Sequence, residues 1–221
     1  MPEEKFPGVY RFRGMLATKS LAPGRRVYGE RLYSERGAEY RSWDPFRSKL
    51  SAAILKGLGV LPVAPGSRVL YLGAASGTTA SHVSDIVGPK GAVYCVEFAP
   101  RSMRDLLNVA MARENMVPIM GDARQPGQYA EYIKGKVDII YEDVADPSQA
   151  EIMLSNARMF LKAGGSALMA VKAQSIDVSR RPSEVYEEAI GRLSAAFEVR
   201  QRLGLEPFDR HHLFLHLSFK G

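Results

Sequence analysis

The chemistry open to this chain is concentrated in one run of small residues. Leu70-Tyr71-Leu72 leads into Gly73-Ala74-Ala75-Ser76-Gly77, and Thr78-Thr79 opens the next segment. Small side chains let a backbone approach a ligand closely. The helix N-terminus that follows offers free N–H groups and a positive dipole end to a carboxylate or phosphate. Taken alone, such a loop is equally a tight β-to-α turn with no ligand. Its spacing is not the G-x-G-x-x-G of dinucleotide-binding folds, which disfavours a nicotinamide dehydrogenase. Glu97 ends the next apolar run, 24 residues beyond Gly73. An acid there can accept from both ribose hydroxyls of a nucleoside cofactor. Alone it is an ordinary solvated strand end, but loop and acid within one βαβ unit predict a nucleoside cofactor.

Two further clusters follow apolar runs. Gly121-Asp122-Ala123 puts a carboxylate where an adenine amino group would lie, unless Asp122 only closes a turn. Glu142-Asp143-Val144-Ala145-Asp146-Pro147 comes after the fourth run, and Asp146 is also placed to cap a helix. In an open parallel sheet, ligands bind beyond the carboxyl ends of the strands, so these clusters describe one site. Lys172 ends a very apolar fifth run and falls at the same rim. Lys49 lies among Phe46, Leu50 and Ala53, where a lysine is ordinarily just solvated. His211-His212 opens the last run. Adjacent histidines on a strand face opposite ways, so only one can serve a site. Zinc-ligand spacing is absent, and no metal is expected.

The elements that must position these residues alternate. Apolar strands are expected at 68–72, 92–97, 117–120, 137–141 and 166–171, with helices at 78–87, 100–114, 147–161 and 182–196. Gly164-Gly165 breaks the third of these helices, and Gly88-Pro89-Lys90-Gly91 is a turn. This alternation predicts parallel βαβ units. Two final strands, near 197–203 and 212–219, predict an antiparallel hairpin at one edge, the order of a Rossmann-like class I methyltransferase. Residues 1–55 read differently. Val9–Phe12 and 26–33 alternate as strands, separated by Gly8, Gly14 and Pro23-Gly24. A helix over 46–58 is expected, with Asp44 as N-cap and Pro45 at its first position. The domain reading is a small β-rich unit at 1–55 and a cofactor-binding α/β domain at 56–221.

Composition bounds the class. The 221 residues suffice for one α/β core with a small appendage. Hydrophobic residues at 46% exclude a disordered chain. The net charge of +6 suits a polyanionic partner, although many basic proteins bind no nucleic acid. Arg11, Arg13, Arg25, Arg26, Arg31 and Arg36 could form a phosphate-facing or scaffold-facing surface, or simply a solvated face. The single cysteine, Cys95, sits in an apolar run and reads as a buried thiol in a reducing compartment. No signal pattern or membrane-spanning run is visible, and a cytoplasmic protein with no membrane partner is expected.

The same residues resemble the fibrillarin family. The resemblance extends from about Val27 onward. It is densest in Trp43-Asp44-Pro45-Phe46-Arg47-Ser48-Lys49-Leu50 and in the run from Val69 to Pro89, with Glu97-Phe98, Asp122-Ala123-Arg124 and Asp143-Val144-Ala145 also matching. It implies guide-RNA-directed methyl transfer from S-adenosyl-L-methionine to ribose 2′-hydroxyls of ribosomal and transfer RNA. A chain starting at the small β unit, without a Gly-Arg tail, is similar to the archaeal form. The implied partners are a box C/D guide RNA with its target RNA, a Nop-domain scaffold protein and a kink-turn-binding ribosomal-type protein. The implied cofactor contacts add Thr78, Thr79, Phe98, Ala123, Val144 and Ala145 to Gly73, Ala75, Gly77, Glu97, Asp122, Asp143 and Asp146. The implied catalytic set is Lys49, Asp143, Lys172 and His212, with Lys172 as base or alkoxide stabiliser. Two positions depart from the family pattern. Asp146 stands where glutamine is usual, and His211 replaces an aspartate before His212. A small-molecule methyltransferase would not need Lys49, Lys172 and His212 together, and a non-catalytic RNA-particle protein would not keep all four.

Overall fold

The computed structural model describes residues 1–221 and contains two sheets. The first has five antiparallel strands: β1 (Glu3–Phe6), β2 (Val9–Phe12), β3 (Met15–Lys19), β4 (Leu32–Glu35) and β5 (Ala38–Ser42), in the order β1-β2-β3-β5-β4. Two of its hairpins turn on the dipeptides Arg13-Gly14 and Arg36-Gly37, all four residues at positive φ. That is the two-residue hairpin turn whose twist matches the flanking strands.

The expected strand over 26–33 begins only at Leu32. Upstream, the Glu30 carboxylate accepts from the backbone N–H groups of Val27 and Tyr28 at 2.9–3.1 Å. A side chain has taken the donors that a ladder would use. The expected helix over 46–58 is also shorter. α1 (Lys49–Leu55) is capped by Ser48, whose Oγ accepts from Ser51 N–H. Asp44 instead closes a turn by accepting from Phe46 N–H at 2.9 Å. Because Ser48 is the cap, Lys49 is the first helical residue.

The second sheet carries β6 (Arg68–Leu72), β7 (Ala92–Glu97), β8 (Met116–Met120), β9 (Val137–Glu142), β10 (Leu161–Lys172), β11 (Phe197–Gly204) and β12 (His212–Phe219) in the order β11-β12-β10-β9-β6-β7-β8. Strands β6 to β10 run parallel, and β12 and β11 are antiparallel. α2 (Thr78–Val87), α3 (Pro100–Ala110), α4 (Gln149–Phe160), the short α5 (Ala173–Ile176) and α6 (Pro182–Leu193) complete it. Neither the strand at 3–6 nor those at 15–19 and 38–42 was expected. Both faces of β6 are buried: Val69 and Tyr71 enter one apolar cluster, Leu70 and Leu72 the other. Strand order reverses between β6 and β9, so the loop after β6 lies at the switch point where ligands bind. No helix is long and apolar enough to cross a membrane.

A buried ionic hub ties the sheets together. Asp85 of α2 accepts from Thr18 Oγ1 (2.7 Å), Leu21 N (2.9 Å), Arg41 Nη1 (2.7 Å) and Arg113 Nη1 (2.6 Å). Arg41 also pairs with Glu30 at 2.6 Å, and both side chains are fully buried. His82 stacks on Trp43 and is hydrogen-bonded to Thr18 and Tyr28. Burial first, then Arg41 and Arg113, push its pKa far down, so it is a neutral ring. Val9 and Leu16 of the small sheet share an apolar cluster with Val69 and Val83.

Candidate active site

The loop after β6 is shaped by backbone that only small residues adopt. Gly73 has φ +76°, and a Cβ there would stand 3.0 Å from the Asp143 carbonyl oxygen. Gly77 has φ +89° and precedes α2 with no side-chain cap, which leaves the first-turn N–H groups available. The loop is pinned by Glu97. Its Oε2 accepts from Ala75 N–H and its Oε1 from Ala99 N–H, both at 2.8 Å. Glu97 is thus a buried strand-end carboxylate with a fixed orientation, not a solvated one.

A cavity of about 400 Å³ lies beyond these strand ends. Gly73, Ala75, Glu97, Phe98, Asp122, Ala123, Asp143, Val144, Ala145 and Asp146 line it, with Lys172 at its edge. Phe98 is 69% exposed and forms an open apolar wall. Gly77, Thr78 and Thr79 are not in the lining. The Thr79 hydroxyl points inward and donates to Ser48 Oγ at 3.0 Å, which ties α2 to the start of α1. Arg124, which the sequence reading left without a role, holds Asp122 at 2.7 Å and reaches Asp146 at 3.7 Å. Its hydrogen bonds keep the Asp122 carboxyl below the usual range. Asp146 also accepts from Ser148 N–H at 2.8 Å, so it serves the helix entry as well as the wall.

Volume, wall and donor set fit a nucleoside cofactor. A buried Glu97 suits ribose hydroxyls, and an aromatic wall beside Asp122 suits adenine, while the helix-start N–H groups of α2 lie outside the lining.

Asp143 faces this cavity and a second cluster. Its Oδ1 lies 2.8 Å from Lys172 Nζ and 3.1 Å from Lys49 Nζ, while its main-chain oxygen accepts from Lys172 Nζ at 2.8 Å. The contacts at Oδ1 are ion pairs by proximity rather than aligned hydrogen bonds. Lys49 also lies 3.5 Å from Asp209 Oδ2, and His212 Nδ1 lies 2.5 Å from Asp209 Oδ1. Burial lowers the Lys49 pKa, but Asp143 and then Asp209 raise it further, so it stays an ammonium. The four residues Lys49, Asp143, Lys172 and His212 therefore meet, from α1, the loop after β9, the end of β10 and the start of β12. His211 does not join them. It is exposed, at φ +58°, and outside every ion pair.

The sequence reading missed two residues that shape this cluster. Asp209 links His212 to Lys49. Gln149, fully buried, donates to the Val144 and Ala170 carbonyls and accepts from Lys172 N–H at 2.9 Å. It locks the Asp143 loop to the end of β10. A single buried amide carries no periodic trace in sequence. Asp209, three residues before a histidine, was the more findable of the two.

The family model described as Fibrillarin matches residues 1–221. A relative from Thermococcus onnurineus (strain NA1), named fibrillarin-like rRNA/tRNA 2′-O-methyltransferase, is 54% identical over 215 residues, 95% of each chain. A solved structure of Aeropyrum pernix fibrillarin with natively bound S-adenosyl-L-methionine aligns at TM-score 0.89 and 52% identity, covering 97% of this chain and 96% of that one. A chain of a fibrillarin/Nop5p complex aligns at TM-score 0.91 and 40% identity, covering 98% and 100%. A family model spanning every residue, and relatives this similar over almost their whole length, show that the chain belongs to the fibrillarin family.

Proposed function

We propose that this chain transfers a methyl group from S-adenosyl-L-methionine to the ribose 2′-hydroxyl of RNA, as catalytic subunit of a box C/D guide-RNA particle. The observation that carries this reading is the double placement of Asp143. It lines the cofactor-sized cavity and is the anion shared by Lys49 and Lys172. A methyl donor held there would present its sulfonium carbon to whatever the lysines hold. Bound cofactor supplies the electrophilic methyl. The chain's residues supply in-line positioning and charge for the developing alkoxide, where most of the acceleration in such a transfer arises.

Relatives support the RNA substrate through their printed name, rRNA/tRNA 2′-O-methyltransferase, and one solved relative is bound to Nop5p. Ribosomal and transfer RNA targets, a guide RNA, a Nop-domain scaffold and a kink-turn-binding protein follow as this chain's partners. Target choice by a guide agrees with a site that places charge but no base-reading side chains. Lys49, Lys172, Asp143 and His212 would surround the reacting ribose. The test is reconstitution with guide RNA, scaffold and kink-turn protein, followed by mapping of methylated riboses. The isolated chain should bind the cofactor and methylate bare RNA poorly. Efficient, sequence-selective methylation by the chain alone would overturn the guided reading.

A further inference from the structure

Three basic side chains surround Asp143 and Asp209, and they differ in what their contacts leave free. Lys172 Nζ lies 2.8 Å from two oxygens of Asp143, its main-chain oxygen and Oδ1. Lys49 Nζ sits between Asp143 and Asp209, which hold it protonated against burial. A lysine so paired is a charge, not an acceptor. His212 differs. A neutral imidazole carries one N–H and one lone pair, so one ring nitrogen can accept while the other donates.

Which nitrogen holds the proton is set by the partner of the other. Here Nδ1 is 2.5 Å from Asp209 Oδ1, an ion-pair contact by proximity rather than an aligned hydrogen bond; a lone pair on Nδ1 would face the carboxylate oxygen and be repelled, so the contact favours the proton on Nδ1 and the lone pair on Nε2. His212 is also the register partner of Lys172 across the β10–β12 ladder. Directly opposed residues of an antiparallel pair share one face of the sheet. His212 therefore stands on the Lys172 face, beside the place where a ribose hydroxyl must lie.

We propose, resting on the methyl-transfer reading above, that Asp209 is a positioning residue that fixes the Nδ1–H form of His212, and that His212 Nε2 takes the proton of the attacking 2′-hydroxyl. In the step, the hydroxyl oxygen forms a bond to the methyl carbon as the carbon–sulfur bond breaks. That bond's electron pair stays on sulfur, which becomes a neutral thioether, and the O–H proton passes to Nε2. The resulting imidazolium faces the Asp209 carboxylate, which stabilises it. Lys172 and Lys49 then act as fixed cations beside the developing alkoxide, and neither needs to lose a proton.

Lys49 of α1, Lys172 of β10 and Asp143 of the loop after β9 face this pair. Tyr186 of α6 has its hydroxyl pushed up to about 12 by burial, then by Glu206 and Asp209, so it remains a neutral phenol. Burial pushes the Asp209 carboxyl up, but His212 and Lys49 outweigh it and hold the group below its usual range. Asp209 is thus a carboxylate wherever the enzyme works.

The test uses the full chain and the assembled particle separately. In the free chain, imidazole ¹⁵N spectra, with His212 assigned from His212→Gln, should show neutral His212 protonated at Nδ1. In Asp209→Asn the proton should move largely to Nε2, the usual preference of a free imidazole. The same tautomer in both proteins would overturn the positioning role. In the particle, Asp209→Asn should lower kcat by about 10²-fold, the scale of acid–base assistance. Cofactor affinity should stay within threefold, and Asp209→Glu should recover part of the rate. The acid limb of the rate–pH profile should move to lower pH in Asp209→Asn and vanish from the residual activity of His212→Gln. A merely structural Asp209 would lower the rate at every pH and leave that limb in place, and this would overturn the proposal. If the wild-type particle fails to methylate guided riboses, the functional reading falls. The tautomer result, read without RNA or cofactor, still decides the role of Asp209.

Discussion

Replacing Glu97 with alanine separates a cofactor site from a strand-end carboxylate. The two oxygens of Glu97 are held at 2.8 Å by Ala75 N–H and Ala99 N–H, and the residue is only 6% exposed. Each oxygen accepts from one backbone N–H and keeps acceptor capacity, and Glu97 lines the cavity, so two ribose hydroxyls of a bound cofactor could donate to it. Hydrogen bonds to a charged acceptor contribute about 1.5–3 kcal/mol. At about 1.4 kcal/mol per tenfold, Glu97→Ala should weaken S-adenosyl-L-methionine binding about 10- to 150-fold. The two orphaned N–H groups border an open cavity, so water can replace the carboxylate. The melting temperature of the free chain should fall little, at about 2–4 °C per kcal/mol lost. Calorimetric titration of the cofactor and a thermal scan of the free chain measure both quantities. An unchanged Kd would refute the ribose contact. A Kd that rises only in step with a large loss of fold stability would refute the claim that the two effects are separable.

Lys172→Ala in the assembled particle should cut the methylation rate by about 10²-fold with cofactor affinity nearly unchanged, because its charge matters mainly during transfer. Lys172→Arg, which keeps a cation but not the ammonium geometry, should retain part of the rate, and near-normal activity of the alanine variant in single-turnover assays would remove Lys172 from the chemistry. Asp85→Ala strands Arg41 and Arg113 in the interior, where breaking a buried pair costs about 3–5 kcal/mol. Calorimetry should show the melting temperature lowered by roughly 6–20 °C, at about 2–4 °C per kcal/mol. Gly73→Val places a Cβ 3.0 Å from the Asp143 carbonyl and demands a positive φ of a β-branched residue, so cofactor binding should be lost in an equilibrium titration.

Sequence made the large sheet legible because its strands are buried on both faces. α2 and β7 have the bounds that their apolar runs predict. The small sheet was half hidden. Its strands are four or five residues long and partly exposed, and the Arg-Gly turns that join them resemble surface charge. The segment at 26–31 alternates like a strand, yet Glu30 captures its N–H groups, an outcome set by Arg41 from another strand. Most of the cavity wall was readable, because glycines and acids at strand ends follow from how such sheets are built. The charged cluster was not readable from spacing. Lys49 and Asp143 are 94 residues apart, and only family resemblance joined them in advance. Asp209 and Gln149 act through single contacts made after folding, so neither pattern nor resemblance exposed them.

The pairing of Lys172 with His212 restricts where this chain can change length. Side chains on a strand alternate faces, so a one-residue deletion within β12 would carry His212 to the opposite side of the sheet and bring a hydrophobic neighbour into its place. The connection from Leu205 to His211 holds Asp209, and a residue gained or lost there would move the carboxylate off the imidazole. The far end of the same strand is free of this constraint. Phe219 lies seven steps along β12 from His212, roughly 23 Å at the usual rise per residue. Added sequence after Gly221 therefore leaves Lys172, Asp209 and His212 in place, whereas shortening the hairpin at its other end breaks their arrangement. For protein engineers, tags and fusions belong at that C-terminal end, and loop grafts near residues 205–211 do not.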